Sequence, residues 1–134
     1  MNIQYFIISK SSSIDQNSNL LSLFEVIEEI NIKSSASTSA INIPVTCIAC
    51  FNRPISQEKK ISLSINFKLV IENEEVPIFN ENYPIHFDIN HARFRFRLNT
   101  QIPVSKTGKY IFQITESGHT EILAQYPINI TLTN

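Results

Sequence analysis

The sequence predicts an all-β protein, an antiparallel β-sandwich of seven or eight strands. Three observations carry this. The run Arg93-Phe94-Arg95-Phe96-Arg97-Leu98 alternates basic and apolar residues strictly, and a period of two puts the arginines on one face of a strand and the apolar residues on the other. The same alternation returns in Ile41 to Phe51, in Ile61 to Leu69 and in Ile122 to Leu132, so one habit governs most of the chain. Composition agrees: 23 Ile, 8 Thr and 5 Val, with 9 Phe and 4 Tyr against only 5 Ala, suit pleated, half-buried surfaces better than helices.

In chain order, the first strand is expected over Ile3 to Ser9, followed by turn residues in Ser11-Ser12-Ser13 and Asp15-Gln16-Asn17. Leu20 to Ile32 is expected to be one strand, because Phe24, Val26, Ile30 and Ile32 alternate and the β-branched residues accumulate towards its end. A short helix is the competing reading there, since Leu20, Leu21, Phe24 and Ile27 also fit helical spacing and Glu25, Glu28 and Glu29 are good helix formers. The tract Ser34 to Ser39 has nothing large to bury and is expected to be a mobile loop, too short for a domain linker. Strands over Ile41 to Phe51 and Ile61 to Glu72 follow, closed by Asn52-Arg53-Pro54 and by Asn73-Glu74-Glu75. Asn80-Glu81-Asn82 reads as a turn before a long strand over Ile85 to Leu98, and beyond it Gln101-Ile102-Pro103-Val104 carries a proline suited to blunting an exposed edge. Gly108 and Gly118 bracket a strand over Lys109 to Thr115 whose Tyr110, Phe112 and Ile114 share a core face, and Ile122 to Leu132 completes the set.

At 134 residues the chain is one domain, able to bury roughly two-thirds of its unfolded surface. A net charge of -1, with 17% charged residues, supplies no global field for nucleic acid or an acidic membrane, so any charge-driven binding must be local. Two cysteines, and a start at Met1-Asn2-Ile3-Gln4-Tyr5 with no basic region before a long apolar run, argue against secretion and a disulfide scaffold. The expected location is cytoplasmic. No apolar stretch approaches the roughly 18 residues of a membrane helix, and two glycines are too few for a phosphate-cradling loop.

Asn19-Leu20-Leu21-Ser22-Leu23-Phe24 after a first strand, the proline-containing Ile43-Pro44-Val45, the late Gly108-Lys109-Tyr110-Ile111-Phe112-Gln113-Ile114 and the closing Glu121-Ile122-Leu123-Ala124-Gln125-Tyr126-Pro127-Ile128-Asn129-Ile130 follow one another in an order that spans most of the chain. Together they resemble a family of small bacterial proteins of unknown function with an immunoglobulin-like or C2-like β-sandwich. The sequence departs from that pattern in lacking a glycine after Leu21. The resemblance implies a fold and carries no activity, cofactor or site residue with it.

Cys47-Ile48-Ala49-Cys50 has the spacing of redox and zinc motifs, but positions three apart on a strand point to opposite faces, sending Cys47 into the core and Cys50 outward. Zinc would need two more ligands, and His86, His91 and His119 show no paired spacing. Calcium is disfavoured as well, because Asp15 and Asp88 are the only aspartates, and the acidic groups Glu25, Glu28, Glu29 and Glu72, Glu74, Glu75 have no aspartate or glycine to shape a loop. His86-Phe87-Asp88 places an imidazole and a carboxylate on one strand face with no evident nucleophile. No catalytic residue, cofactor site or metal site is therefore expected.

Arg93, Arg95 and Arg97 are the candidate partner-binding residues, offering guanidinium groups at intervals of about 7 Å that carboxylates or phosphates can meet with paired bonds. The competing reading is a solvent-facing row whose charges pair with a neighbouring strand. Single-strand nucleic-acid binders need aromatic platforms on the same face, whereas here Phe94 and Phe96 point the other way. The expectation is a non-enzymatic protein-protein interaction or structural module, binding another protein or itself. The alternative is a calcium-independent binder of anionic lipid or nucleic acid through the arginine-lined face.

Overall fold

The structure is a computed structural model and describes residues 1–33, 41–53, 61–74, 77–88 and 91–133. Nine strands are found among them: β1 (Asn2–Ile14), β2 (Leu21–Val26), β3 (Glu29–Lys33), β4 (Ile41–Asn52), β5 (Ile61–Ile71), β6 (Phe79–Phe87), β7 (Arg93–Val104), β8 (Gly108–Glu116) and β9 (Ile122–Thr133). They form two sheets, one ordered β2-β1-β4-β7 and the other β3-β9-β8-β5-β6. The all-β, two-sheet expectation holds, while the count of seven or eight falls short. No helix among the described residues is long and apolar enough to cross a membrane.

The alternation explains the packing. Val45, Cys47, Ala49 and Phe51 of β4 and Phe96, Ile102 and Val104 of β7 face inward from the first sheet, against Ile65, Phe67, Leu69, Tyr110, Phe112, Ile114, Ile128 and Ile130 from the second. Phe67, fully buried, sits at the centre of this layer. Its ring lies 5.3 to 6.4 Å from those of Phe6, Phe79, Tyr83, Phe96 and Phe112, which joins the two sheets through edge-on and tilted aromatic contacts. Tyr110, also fully buried, donates its hydroxyl to the backbone carbonyl of Lys106 at 2.7 Å, tying the start of β8 to the corner that precedes it. Gly118 turns the chain between β8 and β9 at φ 84°, a conformation glycine adopts without strain.

Several boundaries differ from the expectation. Leu20 to Ile32 is neither one strand nor a helix: β2 ends at Val26 in the first sheet, and β3 begins at Glu29 in the second. The crossing between them is fixed by hydrogen bonds from Ile27 N to Ile8 O, from Asn129 N to Glu28 O and from the Tyr126 hydroxyl to Ile27 O. Ile85 to Leu98 likewise splits into the end of β6 and the start of β7, on different sheets. Asn80-Glu81-Asn82 is strand, paired with Lys68, Phe67 and Asn66, and Ser11-Ser12-Ser13 is strand, paired with β2. Gln101 to Val104 continues β7, which is a sheet edge as the proline at 103 suggests. One pairing departs from the antiparallel expectation: β3 runs parallel to β9, Glu29 beside Asn129 through Lys33 beside Thr133. The loop expected over Ser34 to Ser39, and Pro54 and Glu75 in two other turns, lie outside the described residues.

Candidate functional site

The arginine row stands on the outer face of β7. Phe94, Phe96 and Leu98 turn into the core, so Arg93, Arg95 and Arg97 turn away from it. Their neighbours across the ladder on β4 are Asn52, Cys50 and Ile48. None is acidic. The expectation that a neighbouring strand neutralises the row thus fails on register. The ion pairs among the described residues join lysines to glutamates, Lys10 to Glu25, Lys106 to Glu74 and Lys109 to Glu72, and involve none of these arginines.

What turns the row into a cleft is the β1–β2 hairpin. Up to Ser9, β1 pairs with β4; from Ser9 onward it pairs with β2, so its second half leaves the ladder with β4. The hairpin tip then reaches Arg95, whose Nη1 and Nη2 lie 3.4 and 3.3 Å from Oδ1 and the backbone oxygen of Asn19. Because Arg95 is on β7, with β4 between it and β1, the hairpin has to fold across the outer face of the sheet to make that contact. Ile48 and Cys50, on the outer side of β4, are buried accordingly. Asp15 shapes the tip by accepting hydrogen bonds from Asn17 N, Ser18 N and the Ser18 hydroxyl. Those bonds hold its carboxyl below the ordinary range, the backbone bond from Ser18 contributing most. Asn19 completes the turn at φ 57°, a left-handed conformation that asparagine tolerates.

A bulge supplies the opposite wall. The β1–β4 register shifts between Ile3 and Tyr5, and inward positions change from Ile3 to Phe6 and Ile8. Two consecutive residues, Gln4 and Tyr5, are thereby turned to one side, as such irregularities do. Both line the cleft, together with Ile14, Ser18, Asn19, Leu20, Cys50 and the three arginines. Its volume is about 570 Å³, and no carboxylate lines it. Arg95 Nε is buried without a hydrogen-bond acceptor among the described residues. A buried guanidinium N–H without a partner marks a place where an acceptor would be stabilised. The arrangement offers three permanently charged forks, two of them exposed, in a cleft whose lining holds no acid; the nearest described acid in sequence, Asp15, is turned to the backbone and hydroxyl of the hairpin tip.

The remaining candidates fall into place around it. Cys47 and Cys50 do point to opposite faces, but Cys50 is buried rather than open to solvent, its Sγ 3.7 Å from Gln4 Oε1 and 3.9 Å from Asn52 Oδ1. Both thiols are free, and burial pushes the Cys47 thiol far up. His86 does have a hydroxyl beside it, contrary to expectation: Ser62, directly opposite on β5, places Oγ 2.9 Å from Nδ1. Both side chains are exposed on the outer surface of the sheet, and no described carboxylate bonds the ring. Among the described residues, no three of His, Cys, Asp and Glu gather in a metal-binding group.

Sequence reasoning missed Arg53. It is almost fully buried, with Nε donating to His91 O at 2.8 Å, Nη2 donating to Asp88 O, and its guanidinium 5.3 Å from the Phe87 ring centre. Together with the bond from its own N–H to Ala92 O, it ties Asp88, His91 and Ala92 to the end of β4, beside Arg93. Comparison with protein-family models and with curated proteins finds no match to this chain.

Proposed function

We propose that the protein is a non-enzymatic interaction module that docks an acidic protein partner against the cleft formed by Arg93, Arg95 and Arg97. One observation carries this reading: three arginines line a single cleft in which neither the lining residues nor the cross-strand neighbours offer a carboxylate. An unneutralised row of this kind steers and orients a complementary acidic surface. The bulge at Gln4 and the folded-back hairpin support it further, since both shape the wall facing the row.

An immunoglobulin-like classification is favoured over a C2-like one by connectivity and by one side chain. With β1, β4 and β7 taken as the A, B and E strands, and β5, β6, β8 and β9 as C, C′, F and G, the sheets follow the A-B-E and C′-C-F-G arrangement of that sandwich. Tyr110, at the start of the strand equivalent to F and bonded to the backbone four residues upstream, matches the tyrosine corner of such domains. Fold of this class is compatible with many roles, so function is argued from the cleft alone. The resemblance to small bacterial proteins and the cytoplasmic location remain part of the same proposal.

The test is capture from the host lysate after nuclease treatment, at physiological salt, with wild-type protein and with a variant in which Arg93, Arg95 and Arg97 are all changed to Glu. A protein held by wild type alone is then purified and shown to rebind wild type directly. Retention of anionic vesicles or single-stranded oligonucleotides instead, falling steeply with added salt, would replace this reading with the electrostatic alternative.

A further inference from the structure

We infer that the partner presents its acid groups on an extended segment, with carboxylates at every second residue, which joins the outer edge of β7 as an added strand. This deepens the acidic-partner reading and rests on it. β7 ends the order of the first sheet, and no described strand pairs with its outer side. Its ladder with β4 runs from Arg93 opposite Asn52 to Val104 opposite Ile41 without a register shift, so the strand is regular over all 12 residues. A long edge without a bulge is a template for strand addition.

The arginines supply the selectivity. Arg93, Arg95 and Arg97 repeat at two-residue intervals of about 7 Å, the interval at which an extended partner repeats its own outward side chains. Side chains directly opposite on such a pair have Cβ atoms about 5 Å apart, within reach of paired guanidinium-carboxylate bonds. Pro103, near the far end of β7, lacks an N–H, so the added ladder ends before it, on the stretch of edge that begins with the arginines.

A second copy of the chain is a poor occupant. Antiparallel pairing of two β7 edges about Arg95 would set Arg93 against Arg97 and Arg95 against itself, and like charges directly opposite destabilise a pair. No stretch of the sequence carries acids at three successive alternate positions; Glu72 and Glu74 come nearest, with Val76 following. Those two glutamates are engaged by Lys109 and Lys106. The occupant is therefore a segment of another protein.

The experiment uses three short blocked peptides of identical threonine, valine and glutamate composition: one with glutamate at every second residue, one with the glutamates contiguous, and the first again with alternate backbone amides methylated. Binding to the full chain is read by fluorescence anisotropy at low and physiological salt. The alternating peptide is expected to bind, and the contiguous and methylated ones at least about tenfold more weakly. Arg93→Gln and Arg97→Gln, both at exposed positions and checked for native circular dichroism, are each expected to weaken the alternating peptide. Equal affinity for alternating and contiguous peptides, or for the methylated one, overturns the added strand while leaving an acidic partner in place. Absence of binding by all three also overturns it, whereas the acidic-partner reading falls if lysate capture is indifferent to the arginines or if anionic vesicles or oligonucleotides are retained instead.

Discussion

Replacing Tyr110 with Phe removes one oxygen atom and leaves the buried ring where it is. The hydroxyl bonds Lys106 O at 2.7 Å. Lys106 itself is exposed, so water can reach the carbonyl once the hydroxyl is gone. The loss should therefore resemble the net value of an ordinary hydrogen bond, about 1 kcal/mol, rather than the ~1–3 kcal/mol of a stranded buried group. For a chain of this size that is a fall in Tm of about 4 °C. Urea unfolding followed by far-ultraviolet circular dichroism is the suitable assay, because the chain has no tryptophan. The midpoint should fall with an unchanged slope. Tyr110→Ala, which also empties the ring's site, should cost about 3–5 kcal/mol. If Tyr110→Phe proves as stable as wild type while Tyr110→Ala is severely destabilised, the corner is held by ring packing alone and the hydroxyl argument for it fails.

Phe67→Ala should cost about 4 kcal/mol and Phe67→Leu about 1–2 kcal/mol, since leucine keeps most of the apolar volume but none of the aromatic geometry; similar losses in denaturant midpoints would contradict the placement of five rings around it. In an alkaline titration at 295 nm, Tyr83 should ionise late, at about 12, because burial first and the Glu81 carboxylate second disfavour its phenolate. Its folded value is raised, so its contribution to stability is full below the ordinary phenol value of about 10 and disappears as pH climbs through about 12. Asp15 works in the opposite sense: its lowered value makes its contribution complete above the ordinary aspartate range and lost as pH falls through the folded value, so carboxyl resonances followed by NMR should show it titrating below a free aspartate. Neither Cys47 nor Cys50 should react with a thiol-specific disulfide reagent at neutral pH until denaturant is added, and rapid labelling of either in the native protein would contradict their burial.

The strands were legible wherever a period of two ran unbroken, as in β4, β5, β8 and β9. The two fused segments show where that signal misleads. Phe24, Val26, Ile30 and Ile32 share one parity, so a chain that leaves one sheet after Val26 and joins the other at Glu29 looks continuous. In the second case the break was present in the residues: Ile85 and Phe87 are apolar at odd positions, Phe94, Phe96 and Leu98 at even ones, and one flat strand cannot hold both sets on one face. The same change of parity, from Ile3 to Phe6 and Ile8, announces the bulge that delivers Gln4 and Tyr5 to the cleft. The arginine row was visible from alternation alone. Its lack of acidic cross-strand neighbours was not, because such neighbours depend on pairing and register, as does the serine that meets His86. Arg53 was hidden for another reason: nothing local distinguishes an arginine buried against backbone carbonyls from one in a solvated loop.

The parallel seam between β3 and β9 sets an order of events for folding. Its partners lie about a hundred residues apart in sequence, a separation at which loop closure is slow to be rewarded by contacts. During synthesis β3 leaves the ribosome long before its only described neighbour in the sheet exists, and the segment just ahead of it carries Phe24 and Val26, exposed even in the finished domain. At a synthesis rate of about 5–20 residues per second, that edge waits about 5–20 s without a partner. Completion of β9, itself held by β8 on its other side, then anchors the early-made strand in a single step, so damage to β9 releases β3 while damage to β3 leaves β9 paired with β8.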